Sequence, residues 1–241
     1  MFGLGTILNV GGVILGGVFG LLFGRLLRER HQDSLIKAIG MCVICIGLAG
    51  ALSGMMELTD GKLASAHAFL VIASLAPGAL IGEIINLEDG FERFGEWLKR
   101  KTGNAKDKTF VDGFVTASLT ICVGAMAVVG SIQDGIYGDW STLATKAILD
   151  MVIILVMTCS LGKGCIFSAI PIAVIQGTIT LLARSIEPLM TEAALANLST
   201  VGSIMIFCVG INLVWEKKIR VANLLPALVI AVALAFLPFE F

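Results

Sequence analysis

The chain has 241 residues, of which 57% are hydrophobic and 15% are charged, and its formal net charge is −1. Soluble domains contain about 25% charged residues, so this composition excludes an ordinary soluble protein. The near-neutral charge also excludes the basic surface that nucleic-acid binding needs. Its six cysteines and two histidines show no ligand spacing typical of a metal site. We therefore expect no metal, no cofactor and no nucleic-acid partner.

Apolar runs long enough to cross a bilayer follow one another along the whole chain. A spanning helix needs about 20 mostly apolar residues, and backbone groups in lipid must bond within their own segment. The sequence therefore predicts an all-α polytopic transmembrane bundle, with the lipid bilayer as its surroundings and residues 1–241 as one integral membrane domain. The eight predicted spans are Leu4–Phe23, Leu35–Met56, Ala66–Ile85, Phe110–Ile132, Leu143–Leu161, Gly164–Ala183, Leu195–Val214 and Val221–Leu237.

Basic residues fall mostly on one side of this topology. Loops one, three, five and seven carry all of the lysines and arginines except Lys62, Lys146 and Arg184. Basic loops stay in the cytoplasm. The pattern predicts that the odd-numbered loops are cytoplasmic and that both termini lie outside. The basic residues of these loops are Arg25, Arg28, Arg30, Lys37, Arg93, Lys99, Arg100, Lys101, Lys106, Lys108, Lys163, Lys217, Lys218 and Arg220.

Loop three is the long connection, and residues 86–109 form a cytoplasmic segment within the membrane domain. Its stretch NLEDGFERFGEWLKRK places Phe91, Phe94 and Leu98 at helical spacing, with basic residues at the end. Aromatic and basic side chains both suit the headgroup region, which favours a helix lying on the inner leaflet. The alternative is a solvated linker helix without membrane contact.

A glycine ladder marks the first span. Gly12, Gly16, Gly20 and Gly24 recur every fourth residue, which leaves a bare groove along one face where another helix can approach closely. Packing against a helix of the same chain is one interpretation. The other is a homo-oligomer that forms through the Gly12–Gly24 face.

Two weaker patterns bear on transport. The motifs ICIG (44–47), ICVG (121–124) and FCVG (207–210) lie in spans of opposite predicted direction, as inverted repeats of transporters do. The alternative is a recurring small-residue packing surface.

Pro77, Pro171 and Pro226 each fall inside a predicted span, where proline removes a backbone hydrogen bond and kinks the helix.

Charged residues inside the fifth span are the main candidates for a functional site. Asp150 lies eight residues into this span, and Lys146 lies one turn before it. A charge at the bilayer centre costs at least ~2.5–3.5 kcal/mol on insertion scales. A self-paired couple, with Lys146 reaching the headgroups, is the structural interpretation. A solute-, cation- or proton-binding carboxylate in a water-filled path is the functional one.

Uncharged polar residues in other spans complete the candidate intramembrane site. They are Asn9, Ser118, Gln176 and Asn212. Hydroxyl groups usually bond their own helix carbonyls, whereas amide side chains do so less readily. Asp134 and Asp139, in GSIQDGIYGDW, are interpreted as belonging to an ordinary outer loop.

Several long stretches resemble one family. FVDGFVTASLTICVGAMAVVGSIQDGIYGD, TKAILD, SAIPIAVIQGTITLLA and GALIGEIINLEDGFERFGEWLKRK are similar to the YdfK/YqgA-like family of bacterial inner-membrane proteins, a domain of unknown function. The resemblance implies a multi-pass protein of the bacterial inner membrane and supplies no substrate. Residues of this chain in those motifs are Glu83, Asp112, Gly113, Ser118, Gly124, Gly130, Asp134, Lys146, Asp150 and Gln176.

The function hypotheses follow from these features. The intramembrane Asp150, the proline kinks and the repeat favour a transporter or channel for a small solute or ion. A structural or accessory membrane subunit is the alternative. We do not expect an enzyme, because the sequence has no HExxH, GxSxG or paired-carboxylate motif.

Overall fold

The computed structural model describes residues 3–24, 26–59, 62–65, 67–122, 124–215 and 219–237. The helices are α1 Leu4–Gly24, α2 Glu29–Met55, α3 Ala68–Ile85, α4 Leu87–Lys101, α5 Phe110–Cys122, α6 Ala125–Tyr137, α7 Ser141–Leu161, α8 Ala169–Leu181, α9 Ala183–Ile186, α10 Glu192–Trp215 and α11 Pro226–Leu234. Three 3-10 segments, Lys163–Ser168, Glu187–Leu189 and Val221–Leu224, join them. An antiparallel hairpin, β1 Met56–Thr59 and β2 Lys62–Ser65, connects α2 to α3.

The predicted all-α polytopic bundle is confirmed, with the small hairpin as an addition between two spans. Six helices are long and apolar enough to cross a membrane, and a bent pair, α5 with α6, brings the number to seven. The predicted eighth span corresponds to a shorter apolar stretch, Val221–Leu234. This count covers the described ranges only. We name the two ends of the bundle the α4 end and the hairpin end, after the element that lies at each.

The glycine ladder of α1 packs against α7 of the same chain. A Cβ added at Gly12 would lie 2.8 Å from the Ala147 carbonyl oxygen, and one at Gly20 would lie 2.5 Å from that of Leu155. Gly12 and Gly20 are eight residues apart, and so are Ala147 and Leu155, so the two helices run parallel and in contact along the ladder. The face from Gly12 to Gly24 is therefore filled by α7, as in the intramolecular interpretation, and a homo-oligomer through this face would require α7 to leave it.

Two of the three short motifs oppose each other where α2 crosses α10. A Cβ added at Gly47 would lie 2.7 Å from the Cα atom of Phe207, and one at Gly210 would lie 2.7 Å from the backbone nitrogen of Ile44. The first residue of each motif thus faces the last residue of the other, so the antiparallel pair has a local two-fold relation. The third copy, residues 121–124, lies elsewhere, at the break between α5 and α6. An inverted repeat of the whole chain stays a prediction.

The three prolines occupy different positions in their helices. Pro77 lies inside α3, but Pro226 is the first residue of α11 and Pro171 lies in the first turn of α8. Proline is tolerated in a first turn, because the backbone N–H groups there have no intrahelical acceptor. That these three spans are kinked stays a prediction.

Loop three contains the predicted helix, α4. Leu98 is buried and Gly95 packs against the Phe114 ring, so one face of the helix lies on the start of α5. The Phe94 and Trp97 rings stack at 5.7 Å, and Trp97 is half-exposed. The helix ends in three basic residues. This arrangement suits a surface position on the bundle, and the membrane contact of residues 86–109 stays a prediction.

Candidate functional site

The fourth span is broken in the middle of its predicted length. α5 ends at Cys122, α6 begins at Ala125, and the two axes differ by 64°. Gly124 has φ 148°, a conformation that side chains disfavour and glycine accepts. A helix that ends inside a bundle leaves its last carbonyl groups without intrahelical donors. In membranes such an end needs a partner from protein or water.

Lys146 supplies a donor at this break. Its Nζ donates to the carbonyl oxygen of Ile121 at 2.9 Å and to Asp150 Oδ2 at 2.5 Å. Lys146 is 7% exposed and Asp150 is 4% exposed. The lysine therefore does not reach toward the headgroups, as the structural interpretation allowed. It forms the self-paired i,i+4 couple, and it joins α7 to the broken end of α5.

Asn9 adds a third helix to the site. Its amide is fully buried and lies beside the Asp150 carboxyl group, although outside normal hydrogen-bond geometry. The structure therefore brings three of the predicted site residues, Asn9, Lys146 and Asp150, to one place.

Gln176 lies close to this group. The Thr6 and Thr180 hydroxyl oxygens are 3.2 Å apart, and Gly17 contacts Ile166, so α1 and α8 are antiparallel. Asn9 is one turn beyond Thr6, and Gln176 is one turn before Thr180. The register of these two helices therefore places the Asn9 and Gln176 amides at the same depth along the bundle axis.

Sequence reasoning missed a further member of this group, Ser131. Gly135 of α6 packs against the Thr180 carbonyl oxygen and Ala183, so the C-terminal ends of α6 and α8 lie together. One turn earlier on each helix are Ser131 and Gln176, both fully buried. A single serine in an apolar helix carries no distinguishing signal in the sequence. Only the helix register shows where it lies.

The amide groups of Asn9 and Gln176 and the hydroxyl of Ser131 have no hydrogen-bond partner among the described residues. An unsatisfied buried polar group costs about 1–3 kcal/mol. Five such atoms would cost roughly 5–15 kcal/mol, which equals the whole stability of a typical domain. We name Asn9, Ser131 and Gln176 the polar cluster. Its polar atoms can bind water or a polar solute.

Two predicted site residues have no described hydrogen bond to Lys146 or Asp150, although Ser118 lines an apolar cavity and Asn212 lines a second cavity that has charged residues in its lining. Ser118 donates to the Phe114 carbonyl oxygen of its own helix at 2.6 Å, the ordinary arrangement for a helical hydroxyl. Asn212 donates to the Ile219 carbonyl oxygen and accepts from the Ile219 amide. It therefore holds Ile219 against the end of α10, at the α4 end of the bundle.

Asp134 corrects the interpretation of the outer loop. It is fully buried in α6, and its Oδ2 accepts from the Gly5 amide at 3.0 Å and from the Thr6 amide at 3.4 Å. A carboxylate at a helix N-terminus satisfies free amides and complements the helix dipole. Asp139 does lie in a loop, where hydrogen bonds from the Ser141 hydroxyl and amide lower the pKa of its carboxyl group.

Comparison with known proteins gives a family but no activity. The model of the family "Protein of unknown function (DUF554)" matches residues 4–236. The chain is 31% identical over 236 residues to "Uncharacterized protein YqgA" of Escherichia coli (strain K12), covering 96% of both chains. It is 29% identical over 232 residues to "Uncharacterized membrane protein YdfK" of Bacillus subtilis (strain 168), covering 96% of this chain and 95% of the relative. No solved structure matches.

The chain belongs to the DUF554 family. The predicted resemblance is thereby confirmed. In this DUF554 chain, three residues of the resembling motifs lie at or beside the break: Gly124, Lys146 and Asp150.

Two cavities of the DUF554 bundle approach the break. One, of about 560 Å³, lies at the α4 end; its lining is mostly apolar but includes the charged residues Asp33, Lys37, Glu88 and Asp112, and we name it the charged cavity. The other, of about 460 Å³, is mostly apolar and reaches Cys122 and Gly124. Leu119 lines both, and it lies two residues before Ile121. The charged cavity thus extends from the α4 end as far as Leu119, and its described lining does not include Lys146 or Asp150.

Proposed function

We propose that this multi-pass membrane protein carries a small solute or ion across the bacterial inner membrane, with the Lys146–Asp150 pair as the centre of its path. The observation that carries the proposal is the contact of Lys146 with Ile121. It places a buried ion pair at the open end of a broken helix. No enzymatic step is part of the proposal.

Broken helices and buried charges occur together where membrane proteins bind what they move. Discontinuous spans expose carbonyl and amide groups that bind ions and substrate groups near the midplane. Ionisable residues at such depth mark ion and substrate paths. Here the end of α5 and the charges of α7 meet directly. This favours a site that changes its partners during transport.

The cavity at the α4 end and the buried polar groups at the hairpin end support the same function. The charged cavity leads inward from the α4 end as far as Leu119. From the hairpin end, Asp134 and the polar cluster reach toward Asp150. We propose that the α4 end is cytoplasmic and that both termini lie outside, because the basic loops gather at the α4 end.

A screen with reconstituted protein tests the proposal. Purified protein would be heated with amino acids, sugars, organic acids and alkali salts, each as a single probe, and uptake of any stabilising probe into proteoliposomes would be measured. We expect one probe to raise Tm and to be taken up, with uptake lost in Asp150→Asn. Thr200→Val is the control, because its hydroxyl bonds within α10, at the crossing with α2.

An accessory subunit would give the opposite results. It would bind none of the probes, its vesicles would take up none of them, and it would co-purify with a fixed membrane partner in constant ratio. That outcome would replace the transport proposal with the alternative function.

A further inference from the structure

We infer that the hairpin-end half of the bundle is a proton relay from Asp134 to Asp150, so that the ion this protein moves is a proton. The inference rests on the proposed function and names its ion. It stands on the buried polar groups that lie between Asp134 and Asp150.

The relay begins at Asp134. One carboxylate oxygen, Oδ2, accepts from the start of α1, but Oδ1 has no partner among the described residues. The Thr6 amide that donates to Oδ2 belongs to the residue whose hydroxyl meets Thr180. Asp134 therefore connects the N-terminus of α1 to the contact between α1 and α8.

The polar cluster continues the relay toward the pair. One turn from the Thr6–Thr180 contact, the register of α1, α6 and α8 brings Asn9, Ser131 and Gln176 to the same level. All three are buried; the side chains of Ser131 and Gln176 have no hydrogen-bond partner in the described part of the chain, and the Asn9 amide has only the nearby Asp150 carboxyl group. Each can donate and accept, as a group must to hold water in a hydrogen-bonded file. Asn9 then lies beside Asp150.

Lys146 argues against an alkali cation as the mobile ion. The C-terminal end of a broken helix and a nearby carboxylate are the groups that bind Na⁺ in transporters. Here the ammonium group of Lys146 already lies between the Ile121 carbonyl oxygen and Asp150. A second cation at the same groups would meet this charge at close range. A proton arriving on Asp150 needs no such space.

The transfer conserves charge and atoms. A hydronium ion at the hairpin end gives a proton to an oxygen of Asp134 and becomes water. Asp134 then releases a proton to the first relay water and becomes a carboxylate again, and each relay water gives up one proton as it accepts another. The last proton forms an O–H bond on Asp150, which becomes neutral. Lys146 then keeps its bond to the Ile121 carbonyl oxygen and loses its counter-ion. The proton leaves toward the charged cavity when the site opens to the α4 end.

The charged and titratable groups that face Asp150 belong to two helices. Lys146 lies on its own helix, and Cys122 of α5 interacts with both members of the pair. Asn9 of α1 faces it with an uncharged amide. Asp134 faces the positive end of α1 through the Gly5 and Thr6 amides.

Acidification of liposomes tests the relay. Full-length protein would be reconstituted with the pH dye pyranine inside, and valinomycin with a K⁺ gradient would make the interior negative. We expect the wild type to acidify the interior at equal rates in external Na⁺ and choline. Gln176→Leu and Asp134→Asn should fall to the rate of protein-free liposomes, and Thr200→Val should keep the wild-type rate.

The variants distinguish a water-containing proton relay from a buried polar cluster that holds no water. Asp134→Asn keeps an oxygen for the amides of α1, so its fold survives even if Gln176→Leu does not fold. If the cluster is dry, Gln176→Leu raises Tm and leaves acidification unchanged, which overturns the relay. A wild type that takes up a solute through Asp150 without moving protons also overturns it and leaves the proposed function standing. Absence of both movements removes both.

Discussion

The stability of the Lys146–Asp150 pair is open to a direct test by a double-mutant cycle. Asp150→Leu leaves a buried ammonium group with the Ile121 carbonyl oxygen as its described partner, and Lys146→Met leaves a buried carboxylate. The side chains are 9% and 5% exposed, so solvent screens neither. Removing one partner of a buried pair costs about 3–5 kcal/mol. The double variant, which is apolar at both positions, should be neutral or more stable by about 1–4 kcal/mol.

Thermal unfolding in detergent measures the cycle. For a chain of this size each kcal/mol moves Tm by about 2–4 °C, so each single variant should lose about 6–20 °C. The double variant should return to the wild-type Tm or exceed it. If the double variant is as unstable as the single variants together, the pair is a structural requirement of the fold. The reasoning that it persists for function would then be refuted.

Three further predictions follow from the helix contacts and the charge pattern. Gly12→Val should cost about 1–3 kcal/mol more than Gly11→Val, because a Cβ at Gly12 meets α7 while one at Gly11 meets nothing within 4 Å; equal unfolding temperatures would contradict the close packing. Asp134→Ala should lower the free energy of unfolding by about 0.5–2 kcal/mol, because it leaves two amides of α1 without their acceptor. Asp139→Ala, in an exposed loop, should change the free energy of chemical unfolding little. Alkaline phosphatase fused to the C-terminus should be active in bacteria, because the charge pattern places that terminus outside. A full-length fusion without phosphatase activity would show that the C-terminus lies in the cytoplasm, and the predicted orientation would be wrong.

The spans were predictable because lipid imposes a simple length and polarity on them. The packing of the spans against one another was only partly predictable from the sequence. The ladder from Gly12 to Gly24 indicated close helix contact, but its partner, α7, lies more than a hundred residues away in the chain. The i,i+4 spacing of Lys146 and Asp150 predicted their pairing, since the pairing depends on one helix alone.

The rest of the site depends on registers between helices, which no local pattern encodes. Ser131 reaches the site only because α6 packs beside α8 at a particular level. The break at Gly124 was read as part of a continuous span, because its flanks are apolar on both sides. Asp134 lies near turn residues and reads as a loop, yet it caps a helix 129 positions away. The sequence around an aspartate does not indicate whether a backbone amide far away in the chain will donate to it.

Labelling of Cys122 tests most directly whether the break is part of a conduit. Chains with a single cysteine would be treated in membrane vesicles with a charged, lipid-insoluble methanethiosulfonate and with lipid-soluble N-ethylmaleimide. Cys45, exposed on the outside of α2, and Cys165, fully buried, are the controls. Our account predicts that the charged reagent modifies Cys122 but neither Cys45 nor Cys165. Modification of Cys122 by N-ethylmaleimide alone would show that water never reaches the break, which would contradict a path through the Lys146–Asp150 pair.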